Sequence, residues 1–211
     1  MSAVRTKPVI AIVGSIGAGK STAAKILAEC GGAWIVADSL GHEALEQADI
    51  VQCVVAKWGP SVLTNGGSVD RRALAKIVFH DTSERKALEN MVYPYIGRRV
   101  REELLRADND ATFRFVVLDA AVLLEAGWTD IYDHLLFVDA PRPLRYERLA
   151  IRSRWSENEL VAREAAQMPL DEKRRRADAI VVNDSTPIAL RKQLVECLER
   201  WNIRCETPIS I

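Results

Sequence analysis

The chain carries no net charge, because its 211 residues hold 29 Lys plus Arg against 29 Asp plus Glu. That balance argues against the broadly basic surface of a nucleic-acid or membrane-surface binder, leaving room only for a local patch. Histidine is scarce, with His42, His80 and His134 scattered along the chain; no histidine-based metal site is expected. The four cysteines, Cys30, Cys53, Cys197 and Cys205, lack metal-type spacing and read as reduced thiols of a cytoplasmic chain. No apolar run approaches a membrane span, and residues 1–8 lack the apolar centre of a signal peptide. Internal repeats and low-complexity segments are also missing. A chain of this length is expected to form one domain, with room for insertions and a substantial core.

Residues 9–22, V-I-A-I-V-G-S-I-G-A-G-K-S-T, run a β-branched apolar stretch directly into Gly14-x4-Gly19-Lys20-Ser21. This is the pattern of a phosphate-binding loop, in the strand-then-helix setting that such a loop requires. Val9, Ile10, Ile12 and Val13 suit a buried strand. Ala23, Ile26, Leu27 and Cys30 follow the i, i+3, i+4, i+7 stripe of a helix. The loop must wrap phosphate oxygens with main-chain N–H groups, which side chains would block. Gly14, Gly17, Ala18, Gly19, Lys20, Ser21 and Thr22 therefore form the candidate cradle. Lys20 would reach the β- and γ-phosphates and the Ser21 hydroxyl would sit on Mg²⁺. The competing reading is a glycine-rich turn of a Rossmann-like domain. The pattern predicts a nucleoside triphosphate, ATP in a kinase, as ligand.

Strand signals recur at 8–13, 33–37, 113–118, 134–138 and 179–183, separated by helical patterns. That alternation predicts an α/β fold with a five-stranded, mainly parallel sheet covered by helices. Three strands run into an acid, at Asp38, Asp119 and Asp139, and ligands of such sheets gather at strand carboxyl ends. Residues 39–110 read as a helical insertion, either an acceptor-binding subdomain or a plain helical cover. Within it, Asp70 is the expected N-cap of a helix over 71–79, with Leu74, Ile77 and Val78 as its buried stripe. A longer helix over 83–106 is expected to end or kink at Pro94. Ser156-Glu157-Asn158-Glu159 forms a capping box for a helix that Pro169 is expected to stop. Thr186-Pro187 opens the last helix, with Leu190, Leu194, Cys197, Leu198 and Trp201 as its core stripe. The tail 202–211 reads as a frayed or packed end. The expected core is 8–38, 112–140 and 178–201, with a lid over about 145–177.

The guanine-reading N-K-x-D of GTPases is absent, and 211 residues leave little room for the signature segments of motor ATPases. A small-molecule kinase fits best. From about residue 8 to residue 200 the chain resembles the dephospho-CoA kinases. The likeness rests on G-S-I-G-A-G-K-S-T at 14–22, V-A-D at 36–38 and S-V-D-R-R-A-L-A-K-I-V-F at 68–79. It continues through V-L-D-A-A-V-L-L-E-A-G at 117–127, F-V-D-A-P-R-P-L-R-Y-E-R-L at 137–149 and A-A-Q-M-P-L-D-E-K-R-R-R-A-D at 165–178. The resemblance implies a P-loop kinase fold and transfer of the ATP γ-phosphoryl group to the ribose 3′-hydroxyl of dephospho-CoA.

Carried over by position, Asp38 is the catalytic carboxylate, able to orient the attacking hydroxyl and accept its proton; capping the next helix is its other reading. Arg148 is the leading lid arginine. Arg152, Arg163 and Lys173 to Arg176 surround the same segment, and Arg174 to Arg176 read more simply as solvated surface. Arg71 matches an acceptor-side position, or is an ordinary helix residue. Asp119 either holds a water on Mg²⁺ or caps the following turn. Five positions depart from the family pattern: Val36 for Asp, His42 for Arg, Tyr93 for His, Ala121 for Pro and Ala126 for Asn. His42 and Tyr93 fall on the acceptor side, where His42 either donates to a phosphate or lies on the surface. Partners other than the small-molecule substrate, whether nucleic acid or membrane, are not expected, and oligomeric state stays open. A kinase of another nucleoside-like acceptor and a nucleotide-binding regulator without turnover are the other readings.

Overall fold

The computed structural model describes residues 5–153 and 156–206. It divides into two compact units, Ala37–Glu102 and the remainder on either side of it. The larger unit is built on a five-stranded sheet: β1 (Val9–Gly14), β2 (Gly32–Val36), β3 (Phe115–Asp119), β4 (His134–Asp139) and β5 (Ala179–Val182). All pairings are parallel, in the order β2-β3-β1-β4-β5. Every residue of β1 is buried, as befits the apolar middle strand of a sheet covered on both faces.

One face of the sheet is covered by α1 (Lys20–Glu29) and α9 (Pro187–Arg200). Ile10, Ile12, Val117 and Leu136 from the strands meet Leu27 and Leu194 from these helices in one apolar cluster. The stripe expected for α9 is buried as read, with Trp201 packed at its edge. Thr186 caps that helix by accepting from the Ala189 N–H at 3.2 Å. The chain beyond α9 is packed: Ile203 is buried and the Glu206 N–H donates to the Cys30 carbonyl at 3.1 Å. The rest of the expected tail, 207–211, lies outside the described residues. Burial, with the neighbouring Cys205 thiol, pushes the Cys30 thiol up to about 12.

The strand register positions the site. Ile12 lies opposite Asp119 and Gly14 opposite Val138, so the acids ending β3 and β4 flank the exit of β1. Three helices, α6 (Arg142–Ser153), α7 (Glu157–Ala165) and α8 (Leu170–Arg176), then carry the chain from β4 to β5. The capping box of α7 forms as read, with Ser156 and Glu159 exchanging bonds. Pro169 does not stop this helix. α7 already ends at Ala165, and Pro169 instead stands at the N-cap of α8, where its missing N–H costs nothing.

The smaller unit is helical, holding α2 (Ala37–Ala44), α3 (Ala48–Trp58), α4 (Arg71–His80) and most of α5 (Thr82–Asn109). Asp70 caps α4, its carboxylate accepting from the N–H groups of Arg72 and Ala73 at 2.9 and 3.1 Å. Leu74 is buried, while Ile77 and Val78 are only half-buried. The Trp58 indole and the Lys57 ammonium both reach the Glu84 carboxylate, at 2.6 and 3.1 Å. Pro94 does not end its helix; α5 runs through it unbroken. Val92, Ile96 and Val100 recur every fourth residue across it, and all are buried. That burial outweighs the single hydrogen bond a proline removes.

Asp108, near the end of α5, ties the entry of β1. Its carboxylate accepts from the Lys7 N–H at 2.8 Å and from the Thr6 N–H and hydroxyl at 3.0 and 3.1 Å. Burial acts to raise its pKa, but the bonds from Lys7 and Thr6 outweigh it and leave the carboxyl below its ordinary value. A group lowered in this way stabilises the fold above its unfolded pKa of about 3.9 and loses that contribution as pH falls through the folded value. Asp108→Ala should cost on the order of 1 kcal/mol at pH 7, because these bonds are partly open to solvent and screened by it. Urea unfolding should show the gap from wild type narrowing once the pH drops below about 4.

Candidate active site

The loop from Gly14 to Lys20 turns by left-handed glycines: Gly14, Gly17 and Gly19 have φ of 144°, 79° and 92°. At all three space is also closed, a Cβ on Gly17 meeting the Arg145 carbonyl oxygen at 2.9 Å. A Cβ on Gly14 would lie 2.0 Å from the Val138 carbonyl oxygen, and one on Gly19 would lie 2.3 Å from Asn183 Nδ2. The loop thus hugs β4 on one side and the end of β5 on the other. Ala18 is fully buried beneath it. Gly19 leads into the first turn of α1, whose unpaired N–H groups and dipole favour an anion. Lys20 folds back over the loop, its ammonium donating to the Gly14 and Ser15 carbonyls at 3.2 and 3.1 Å.

The Ser21 hydroxyl donates to Asp119 Oδ2 at 3.1 Å. A hydroxyl and a carboxylate side by side at a strand end are hard oxygen donors suited to Mg²⁺, which takes few protein ligands and completes its shell with phosphates and water. Among the described residues no group of three or more His, Cys, Asp or Glu side chains could hold a metal ion alone. Thr22, beside Ser21 in α1, is exposed.

The loop's remaining polar atoms are held from behind. The buried Asn183 amide donates to the Ala18 carbonyl at 2.8 Å. Arg148 reaches the same carbonyl at 3.4 Å and the Asn183 carbonyl at 3.0 Å. Arg145, almost wholly buried, donates to the Ile16 carbonyl at 3.2 Å and pairs with Glu164 at 2.5 Å. Ser15 donates to Asp139 at 3.2 Å. Sequence reasoning missed Arg145, Asn183 and Ser15. Asn183 carries a usable signal, a polar residue directly after an apolar strand, whereas Arg145 looks like any basic residue on an amphipathic helix.

The basic run after Pro169 divides. Lys173 does not face phosphate; it is fully buried. Its ammonium lies 2.7 Å from Glu125 Oε1 and reaches the Gln167 side chain and the Ala121 carbonyl at 3.3 and 3.4 Å. Glu125 Oε1 also accepts from the Met168 N–H at 2.9 Å. A buried ammonium needs such partners, which pin the Q-M-P segment against the turn after β3. Arg174 pairs with Asp139, Arg176 with Glu172, and Arg175 is exposed. Arg152 is exposed and Arg163 half-buried.

Lys20, Ser21, Asp119 and Arg148 are thus gathered at one loop. Asp38, His42, Arg71 and Tyr93 belong to the smaller unit. Asp38 is not an N-cap, because α2 begins one residue earlier; it is exposed in the first turn, where the helix dipole favours its negative charge. His42 is exposed in the last turn of α2 and Arg71 is the exposed first residue of α4. Tyr93 is half-buried on α5. In the same unit Glu43 accepts from the Tyr95 hydroxyl and from Arg99 Nε, the latter at 2.8 Å. The bond to Glu43 holds the Tyr95 phenol above its ordinary pKa.

A parallel five-stranded sheet with a glycine loop, Lys and Ser between its central strand and α1 defines a P-loop nucleotide-binding protein. The dephospho-CoA kinase family model matches residues 8–188. A dephospho-CoA kinase of Bacillus licheniformis is 36% identical over 198 residues, covering 92% of this chain and 96% of that protein. A solved structure from Thermus thermophilus shares 35% identity with a TM-score of 0.80, covering 92% of this chain and 97% of that one. The dephospho-CoA kinase structure from Campylobacter jejuni shares 26% identity with a TM-score of 0.67, over 93% of this chain and 98% of that one. The chain belongs to the dephospho-CoA kinase family.

Two substitutions test this construction. Gly19→Ala should weaken ATP binding at least tenfold, through the clash with Asn183 and the left-handed φ, as read by calorimetric titration. Lys173→Met leaves the half-buried Glu125 carboxylate without its cation, and should cost on the order of 2–3 kcal/mol in urea unfolding. Adding Glu125→Gln should recover part of that loss.

Proposed function

We propose that this chain carries out the family reaction, with ATP as donor and the ribose 3′-hydroxyl of dephospho-CoA as acceptor, as the last step of coenzyme A synthesis in the cytoplasm. The observation that carries the reading is the loop itself: main-chain amides, the Lys20 ammonium and the Ser21–Asp119 pair converge where a triphosphate would lie. No described helix is long and apolar enough to cross a membrane.

In this reading Lys20 follows the transferring phosphoryl group and offsets its charge. Ser21 and Asp119 would hold Mg²⁺, which neutralises phosphate charge when bound. Arg148, already against the loop, stabilises charge on the group in transit. Asp38 orients the acceptor hydroxyl in line and takes its proton; with a loose transition state, orientation contributes more than basicity. The smaller unit supplies the acceptor contacts, with His42, Arg71 and Tyr93 as candidates.

Asp38→Asn should lower kcat by roughly 10²–10⁴-fold while ATP still binds. A coupled assay of ADP release, run with and without dephospho-CoA, checks both the role and the acceptor. Wild-type turnover in the variant would remove Asp38 from catalysis. Release with another nucleoside but not with dephospho-CoA would reassign the acceptor, and nucleotide binding without any release would make the protein a regulator.

A further inference from the structure

Asp139 is a negative charge set against the back of the phosphate loop. Its Oδ1 accepts from the Ser15 hydroxyl at 3.2 Å and from the Ala140 N–H at 2.9 Å. Ser15 is 1% exposed, and its carbonyl holds the Lys20 ammonium at 3.1 Å. Oδ2 is bound by the Arg174 guanidinium from α8, which also lies over the Phe137 ring at 5.4 Å. One chain of contacts therefore runs from Arg174 through Asp139 and Ser15 to Lys20.

A carboxylate can serve as an acceptor for Ser15 only at an electrostatic cost. The loop must admit a polyanion, and an uncompensated acid beside it repels that ligand. An amide or hydroxyl acceptor would avoid the repulsion; here the compensation comes from a cation on another element. We propose that Arg174 is a positioning residue for nucleotide binding that acts through Asp139. It neutralises the acid that fixes Ser15, and so couples the α8 segment to the phosphate loop without itself touching phosphate. The proposal rests on the phosphate-loop reading, and it gives Arg174 a task different from that of an arginine closing directly over ATP.

The two tasks differ in how substitutions combine. If Arg174 works by neutralising Asp139, removing both charges is harmless, because the side-chain amide oxygen in D139N still accepts from Ser15. If Arg174 met phosphate directly, removing the charge of Asp139 could not replace it. ATP affinity is read by calorimetric titration, and KM for ATP is followed beside kcat, for wild type and the variants Arg174→Ala, Asp139→Asn and the double substitution. Arg174 lies half-exposed, so its loss should leave the fold intact, as thermal melting checks. Should D139N melt early, D139S removes the same charge.

Expected is a loss on the order of tenfold in ATP affinity for R174A, with kcat little changed. D139N alone should bind ATP at least as tightly as wild type, its uncompensated Arg174 now favouring the polyanion, and R174A/D139N should recover most of what R174A loses. A double variant as weak as R174A, or weaker, overturns the proposal and leaves the loop reading standing. Equal ATP affinity in wild type and R174A overturns it too. A wild-type protein that fails to bind ATP overturns the loop reading with it, and that result is seen before any substitution is made.

Discussion

A loop that binds phosphate with its own amides is a structural liability until something holds it open. Its N–H groups point at the ligand, so they cannot close a helix or a sheet ladder, and its carbonyls face the other way with no regular partner. Here those rearward groups are taken up one at a time. Asn183 and Arg148 hold the Ala18 carbonyl, Arg145 holds that of Ile16, and Asp139 takes the Ser15 hydroxyl. These bonds offset part of the entropy cost of ordering the loop. A pre-ordered cradle loses less on binding than one that forms around its ligand.

Holding a loop this way requires polar and charged groups inside the protein, and each creates a further demand. Arg145 and Lys173 are almost wholly buried, and each has a carboxylate within 2.7 Å, Glu164 and Glu125 respectively. These pairs are poor sources of net stability compared with apolar packing. Their effect is geometric: Glu164 lies on α7 and Lys173 on α8, so the elements between β4 and β5 are fastened to the loop and to the turn after β3. Burial of the charge makes each fastening specific, because any other arrangement leaves an ion unpaired.

Elements whose signal is periodic were legible in the sequence. The five strands follow from short apolar runs and the stripes of α1 and α9 from helical spacing of apolar residues, and the caps at Asp70, Ser156 and Thr186 follow from local hydrogen bonding. Pro94 does not end α5 and Pro169 does not stop α7, because tertiary burial carries the first helix on and the second already ends at Ala165. In the site, Gly14 to Ser21 was legible because backbone geometry restricts residue choice. The rear supports were not, since a buried arginine and a surface arginine are the same letter. Lys173 shows this most plainly, sitting in a run of four basic residues of which it alone is fully buried.

The acids at the strand ends raise a question that the sheet topology answers. Carboxylates are an odd choice beside a triphosphate, yet β3 and β4 each end in one on either side of β1. The two are occupied differently. Asp119 faces the Ser21 hydroxyl, where a divalent cation would reverse the local field. Asp139 faces Arg174 and the Ser15 hydroxyl, a fixed internal cation in place of a mobile one. A parallel sheet delivers the ends of neighbouring strands to one rim, so each acid there needs its own counter-charge before a polyanion can approach. Lys20 folded over the loop adds a local positive charge there, in a chain whose total charge is zero.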